Sequence, residues 1–180
     1  KKHFTENFQG NVNPTEVVAN LVCEEDDLVS GIERVYEMVK GSCSMLFLLG
    51  ERIIAARDKL GRTPVVIGKN SQGFAVTTET SAFPNLEYEI EYYLGPGEIV
   101  AITAEGYETL QPARKQMQIC AFLWVYYGYP TSYYEGINVD EVRYRCGAAL
   151  AKKDGVEADY VCGIPDSGVG HAYGYSNERK

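Results

Sequence analysis

The sequence predicts an α+β chain that closes on the opening of an α/β domain. Three observations predict it. Helical apolar spacing fills residues 13–39. From 43 to 103 it gives way to short apolar runs cut by Gly, Pro and Asn turns. After residue 139 a helical stretch, an apolar run and a small-residue turn follow one another.

Each element has a local cause. Asn13-Pro14-Thr15-Glu16 is a helix start: a capping side chain, a proline in the first turn, then an acid at the positive end of the dipole. Val17, Val18, Leu21 and Val22 give that helix an apolar face. A second helix is predicted over 28–39, with Ile32, Val35, Tyr36 and Val39 on one side and Gly41 as its stop. Strands are predicted over 43–49, 52–57, 64–69, 74–78, 88–94 and 98–103, with Gly95-Pro96-Gly97 as the strongest turn signal. The unbroken run Met45-Leu46-Phe47-Leu48-Leu49 predicts a sheet covered on both faces. Residues 111–118, with Pro112, read as a linker. Residues 139–152 read as a helix with acids at its start and lysines at its end. Residues 158–164 are predicted to be a buried strand ended by Pro165-Asp166-Ser167-Gly168, and 172–176 to begin the next helix.

The 180 residues carry a net charge of −8 without a basic cluster, which argues against non-specific nucleic-acid binding. No run approaches a membrane span, and no secretory leader opens the sequence. Cys23, Cys43, Cys120, Cys146 and Cys162 form no C-x-x-C pair. They read as buried reduced thiols of a cytoplasmic protein. His3 and His171 lack partner spacing for metal or triad chemistry and read as structural or exposed.

The stretch Arg57-Asp58-Lys59-Leu60-Gly61-Arg62-Thr63-Pro64 resembles the hairpin of class II (N-terminal nucleophile) glutamine amidotransferases. In order along the chain, further motifs resemble the amidophosphoribosyltransferase family. They are Lys40-Gly41-Ser42-Cys43-Ser44-Met45-Leu46, Thr78-Glu79-Thr80-Ser81-Ala82, Gly95-Pro96-Gly97-Glu98-Ile99-Val100, Ile119-Cys120-Ala121-Phe122, Gly136-Ile137-Asn138-Val139 and Ala158 through Gly168.

The resemblance implies a glutaminase domain over residues 1–112, built as a four-layer α-β-β-α sandwich. The beginning of a phosphoribosyltransferase domain follows over 113–180. It implies transfer of glutamine-derived ammonia to phosphoribosyl pyrophosphate in purine biosynthesis, with magnesium, by a cytoplasmic homo-oligomer acting on small molecules. The family's N-terminal cysteine nucleophile and its Asp-Asp-Ser phosphoribosyl-binding loop are not among these residues, so no catalytic residue is assigned and these residues alone are expected to be inactive.

Site residues follow from the same resemblance. Arg57 and Asp58 brace the glutamine pocket, or else hold the hairpin by an internal ion pair. Asp166 and Ser167 belong to the phosphoribosyl pyrophosphate and magnesium site, Ser167 as a magnesium ligand, or else form a turn capping the next helix. Cys120 falls on a [4Fe–4S] ligand position of the iron–sulfur subgroup, or else is a buried free thiol.

The sequence departs from the family pattern at Pro14, where an aspartate binds the α-amino group of glutamine. Proline cannot supply that carboxylate, and the segment reads as a plain helix cap. Leu123, Tyr129 and Thr131 likewise replace a glutamate, an arginine and an aspartate. Two rivals stand beside this reading: another class II amidotransferase, or a degenerate non-catalytic glutaminase-like scaffold.

Overall fold

A computed structural model describes residue 10 and residues 12–179. In chain order these form α1 (Pro14–Val22), α2 (Leu28–Met38), β1 (Met45–Leu49), β2 (Arg52–Ala56), β3 (Val66–Asn70) and β4 (Gly73–Thr77). There follow α3 (Ala82–Asn85), β5 (Glu89–Tyr93), β6 (Ile99–Ile102), β7 (Tyr107–Gln111) and a π-helix (Leu123–Tyr127). The hairpin β8 (Tyr133–Tyr134) and β9 (Ile137–Asn138) leads to α4 (Val139–Lys153) and α5 (Gly168–Glu178). The mixed helices and antiparallel sheets bear out the α+β class. The chain groups into two compact units: residues up to Thr63 with Leu94–Gln118, and Pro64–Tyr93 with the residues from Ile119 onward.

In the first unit, the Asn13 side chain accepts from Thr15 N at 3.0 Å and starts α1 as its sequence requires. Asp27 does the same for α2, accepting from the backbone N and the hydroxyl of Ser30. The two helices approach closely at Gly31, where a Cβ would lie 2.2 Å from the Val22 carbonyl oxygen. The sheet runs β1-β2-β6-β7, all antiparallel. One of its faces carries two cross-strand rows, Met45–Ala56–Ile99 and Phe47–Ile54–Ala101. These rows pack against Val22, Ile32, Val35 and Tyr36 of the helices.

Cover on both faces, expected from the apolar run of β1, holds at the centre of this sheet, where Ala55, Val100 and Ile102 of the opposite face are buried. It fails at β1, where Leu48 is 77% exposed and Leu46 and Leu49 about half exposed. The reason is position: β1 ends the strand order. The alternating polar strand β7 was not predicted, and its last residue, Gln111, fell in the expected linker. It forms because β6 offers it a ladder, with a register shift at Ile99/Val100.

The second unit holds the sheet β4-β3-β5 and the helical elements after residue 119. Gly68 admits the buried ring of Phe83 against β3, since a Cβ there would lie 2.5 Å from that ring. The β8–β9 turn takes positive φ at both Glu135 (51°) and Gly136 (76°), the pattern of a two-residue hairpin. Above it Trp124 and Tyr134 meet edge to face at 5.7 Å, over Val139.

Helices α4 and α5 cross nearly backbone to backbone. A Cβ on Gly147 would lie 1.9 Å from the His171 carbonyl oxygen, and one on Gly174 would lie 1.9 Å from that of Tyr144. The imidazole Nε2 of His171 lies 3.1 Å from the Val125 carbonyl, a structural role as expected; His3 lies outside the described residues.

Two expectations are corrected. Residues 158–164 form no strand, and Tyr160 and Ile164 are 89% and 84% exposed. An apolar run becomes a buried strand only when neighbours satisfy its backbone groups, and no described strand pairs with it. Four of the thiols are not core residues either: Cys23, Cys120, Cys146 and Cys162 are exposed, whereas Cys43 is half-buried and packs against the core of the first unit. Cys23 ends α1 and Cys146 lies outside the buried stripe of α4, so neither position faces a core.

Substituting Gly174→Ala is expected to lower stability by roughly 1–3 kcal/mol or more, because backbone must move to admit the methyl group; thermal melts of the two proteins check it. The Asp154 carboxylate accepts from the Tyr175 hydroxyl at 2.7 Å and from Val156 N at 3.0 Å, and these bonds hold its carboxyl below the usual range. Its contribution is therefore present above the ordinary aspartate pKa of about 3.9 and is lost as pH falls through the lower folded value. Asp154→Asn is expected to flatten the acid limb of the stability curve below about pH 4, read by denaturant titration at several pH values.

Candidate functional site

The Arg57-Asp58 turn is the buried polar centre of the first unit, with the two side chains 0% and 1% exposed. The Arg57 guanidinium donates to the Leu94 carbonyl and, at 2.7 Å, to that of Gly61. The Asp58 carboxylate accepts from the Ser42 hydroxyl at 3.0 Å and from Leu60 N and Thr63 N at 3.1 Å. Its backbone carbonyl takes Gly61 N and Gly97 N, so the turn and the Gly95–Glu98 loop are knitted together. Tyr36 closes the back of the turn by donating to the Arg57 carbonyl at 2.7 Å. Burial, with the charges of Glu33 and Asp58 nearby, pushes its phenol well above the ordinary range, so it remains a donor. Gly61 has φ 63°, as the turn requires. The two neighbours thus brace different parts of one turn.

A second polar centre lies in the second unit, in an open cleft of 790 Å³. Asp166 and Ser167 line it, brought to its edge by the turn that enters α5. The peptide bond between Pro165 and Asp166 is cis. The Ser167 side chain makes no capping bond to α5, which leaves its hydroxyl available to a ligand. Tyr126, Tyr127 and Tyr129 form an exposed aromatic wall. Tyr129 therefore faces the cleft where the family pattern has an arginine.

Glu79 and Arg143 also line this cleft, and neither was singled out from the sequence as a site residue. The Glu79 carboxylate accepts from the Ser132 hydroxyl and, at 2.8 Å, from the Tyr134 hydroxyl. Burial and that bond push the Tyr134 phenol well above its ordinary range. Arg143 is 1% exposed and donates to the carbonyls of Trp124, Tyr126 and Gly128. A signal for it was present: Val139, Arg143, Gly147 and Ala151 recur every four residues as the buried stripe of α4, and an arginine in such a stripe needs partners.

The donor set fits two implied groups differently. Asp166 and the Ser167 hydroxyl are hard oxygen donors beside a cleft, suited to magnesium that keeps waters and substrate phosphates as its other ligands. A [4Fe–4S] cluster takes four cysteines. Cys120 is exposed, and among the described residues no group of three or more His, Cys, Asp or Glu side chains could hold a metal ion. The described residues therefore supply Cys120 without the three further ligands that a cluster needs.

No protein-family model matches the chain. Curated relatives do. The amidophosphoribosyltransferase of Archaeoglobus fulgidus is 33% identical over 169 residues, covering 91% of this chain and 37% of that protein. The Bacillus subtilis amidophosphoribosyltransferase is 33% identical over 165 residues, covering 90% and 35%. Among solved structures, glutamine phosphoribosylpyrophosphate amidotransferase from B. subtilis, complexed with ADP and GMP, superposes with a TM-score of 0.83 at 31% identity. The match covers 94% of this chain and 39% of that one. The chain has the amidotransferase fold of the N-terminal-nucleophile type. Over nine tenths of its length it is similar to amidophosphoribosyltransferases in sequence and in fold. It spans about two fifths of the length of the relatives it matches.

Asp58→Ala is expected to cost roughly 2–4 kcal/mol, because Leu60 N and Thr63 N lose their acceptor in a buried turn. Tyr36→Phe, which orphans one carbonyl, is expected to cost about 1–2 kcal/mol. Urea denaturation of both variants checks the magnitudes and their order.

Proposed function

We propose that these residues are part of an enzyme that releases ammonia from glutamine and transfers it to phosphoribosyl pyrophosphate, giving phosphoribosylamine and pyrophosphate. This is the step of purine biosynthesis that the resemblance implies. The observation that carries the reading is the match of nine tenths of the chain to amidophosphoribosyltransferases in both sequence and fold.

The residues divide the work as the family does. Arg57 and Asp58 hold the turn that supports the glutamine pocket, acting through backbone they fix. Asp166 and Ser167 face the phosphoribosyl pyrophosphate, and with magnesium bound they would hold the ion that neutralises pyrophosphate charge. In the transfer, the ammonia nitrogen forms a bond to C1 of the ribose, the C1–oxygen bond to pyrophosphate breaks, and the nitrogen gives up a proton. Small-molecule substrates, a cytoplasmic setting and a homo-oligomeric assembly belong to the same proposal. A [4Fe–4S] cluster in the full-length protein, with Cys120 as one of its four ligands and the others outside these residues, belongs to the same proposal.

Pro14 opens α1 and has no carboxylate to offer the α-amino group of glutamine. Ammonia itself is therefore the more effective nitrogen source in this proposal. The test is pyrophosphate release from phosphoribosyl pyrophosphate by the complete gene product, with glutamine and with ammonium as separate donors. Release with ammonium, and weaker release with glutamine, is the expected outcome. No release with either donor would sink the assignment and favour the non-catalytic scaffold.

A further inference from the structure

Arg143 is almost wholly buried, yet it lines the cleft of Asp166 and Ser167. Its Nε donates to the Trp124 carbonyl at 2.8 Å, and its Nη2 to those of Tyr126 at 3.0 Å and Gly128 at 2.7 Å. Nη1 has no hydrogen-bond partner among the described residues, and no described carboxylate forms an ion pair with the guanidinium. Nor is Nη1 among the solvent-sealed atoms that lack a partner, and the residue lines the cleft.

A buried cation compensated by carbonyl dipoles alone is costly, and an anion reaching the free nitrogen recovers part of that cost. The first turn of α5 packs on the base of this side chain: a Cβ on Gly170 would sit 3.0 Å from Arg143 Cβ, with the Asp140 carboxylate nearer still. That turn begins an eleven-residue helix, whose N-terminal end favours negative charge, and the unused Ser167 hydroxyl precedes it.

We propose that Arg143 is a binding residue of this cleft, presenting Nη1 beside the Ser167 hydroxyl and the start of α5 to a phosphate or pyrophosphate group. The inference rests on the reading of this cleft as the pyrophosphate-releasing site and adds the residue that supplies its fixed positive charge. Glu79 and Asp166 face the same cleft, so the anion binds best together with a divalent cation.

Calorimetric titration of this chain with inorganic pyrophosphate, with and without magnesium, tests it. Saturable binding is expected, strengthened by magnesium and weakened at least tenfold by Arg143→Lys. Lysine keeps the charge but lacks the fork that serves the three carbonyls and the ligand together. Equal affinity in a folded Arg143→Lys protein, or no binding to the unaltered chain, would overturn the proposal. Should that variant fail to fold, the guanidinium nitrogen resonances of the unaltered chain decide. A buried arginine signal that shifts on saturation with pyrophosphate supports the subsite, and unmoved signals overturn it. Binding through Arg143 by a gene product that releases no pyrophosphate would sink the proposed reaction and leave the subsite standing.

Discussion

Each unit is organised around a buried guanidinium that donates to backbone carbonyls. Arginine keeps its proton at any physiological pH, so the chain around it must present acceptors wherever it is buried. In the first unit Arg57 draws in the carbonyls of Leu94 and Gly61, joining a hairpin turn to a loop some thirty-five residues later in the chain. In the second, Arg143 gathers the last carbonyls of the π-helix and of Gly128. Helix ends leave such carbonyls without partners, and a five-residue π-helix has few bonds of its own to lose. The guanidinium acts with the His171 contact at the Val125 carbonyl and the packing of Trp124 to hold this short segment, and with it the aromatic wall it carries.

Local chemistry made most of the fold legible. The cap at Asn13, the acidic start and basic end of α4, the apolar stripe of α2 and the alternating or continuous strands up to Ile102 declare themselves within a few residues, because each depends on neighbours in sequence. What was not legible depends on distant partners. The strand Tyr107–Gln111 is polar and lies at the end of its sheet, so only the ladder of β6 makes it a strand. Residues 158–164 show the converse. Their composition is that of a buried strand, and composition supplies no neighbour. Likewise Cys23 and Cys146 are apolar enough to be core residues, yet they sit on surfaces.

The candidate site divides the same way. Arg57, Asp58, Asp166 and Ser167 were visible because motif resemblance marks them, and the structure places the first two in one buried turn and the last two on one cleft. Glu79 sits inside a quoted motif, but its partners Ser132 and Tyr134 are more than fifty residues away, a juxtaposition only folding creates. Arg143 was hidden for a different reason. A charged residue on a helix is ordinarily a solvated one, and only the four-residue recurrence of its neighbours betrays that this one is inside.

The unpaired run at 158–164 also governs how the molecule behaves in concentrated solution. These seven irregular residues, apolar in part and mostly open to solvent, offer backbone donors and acceptors to a similar segment that arrives. The net charge of −8 opposes that encounter by keeping copies apart. This repulsion acts through the solvent and shortens with ionic strength, to a range of about 10 Å at 0.1 M salt. Colloidal stability therefore belongs to the low-salt regime, and added electrolyte trades long-range repulsion for short-range strand pairing.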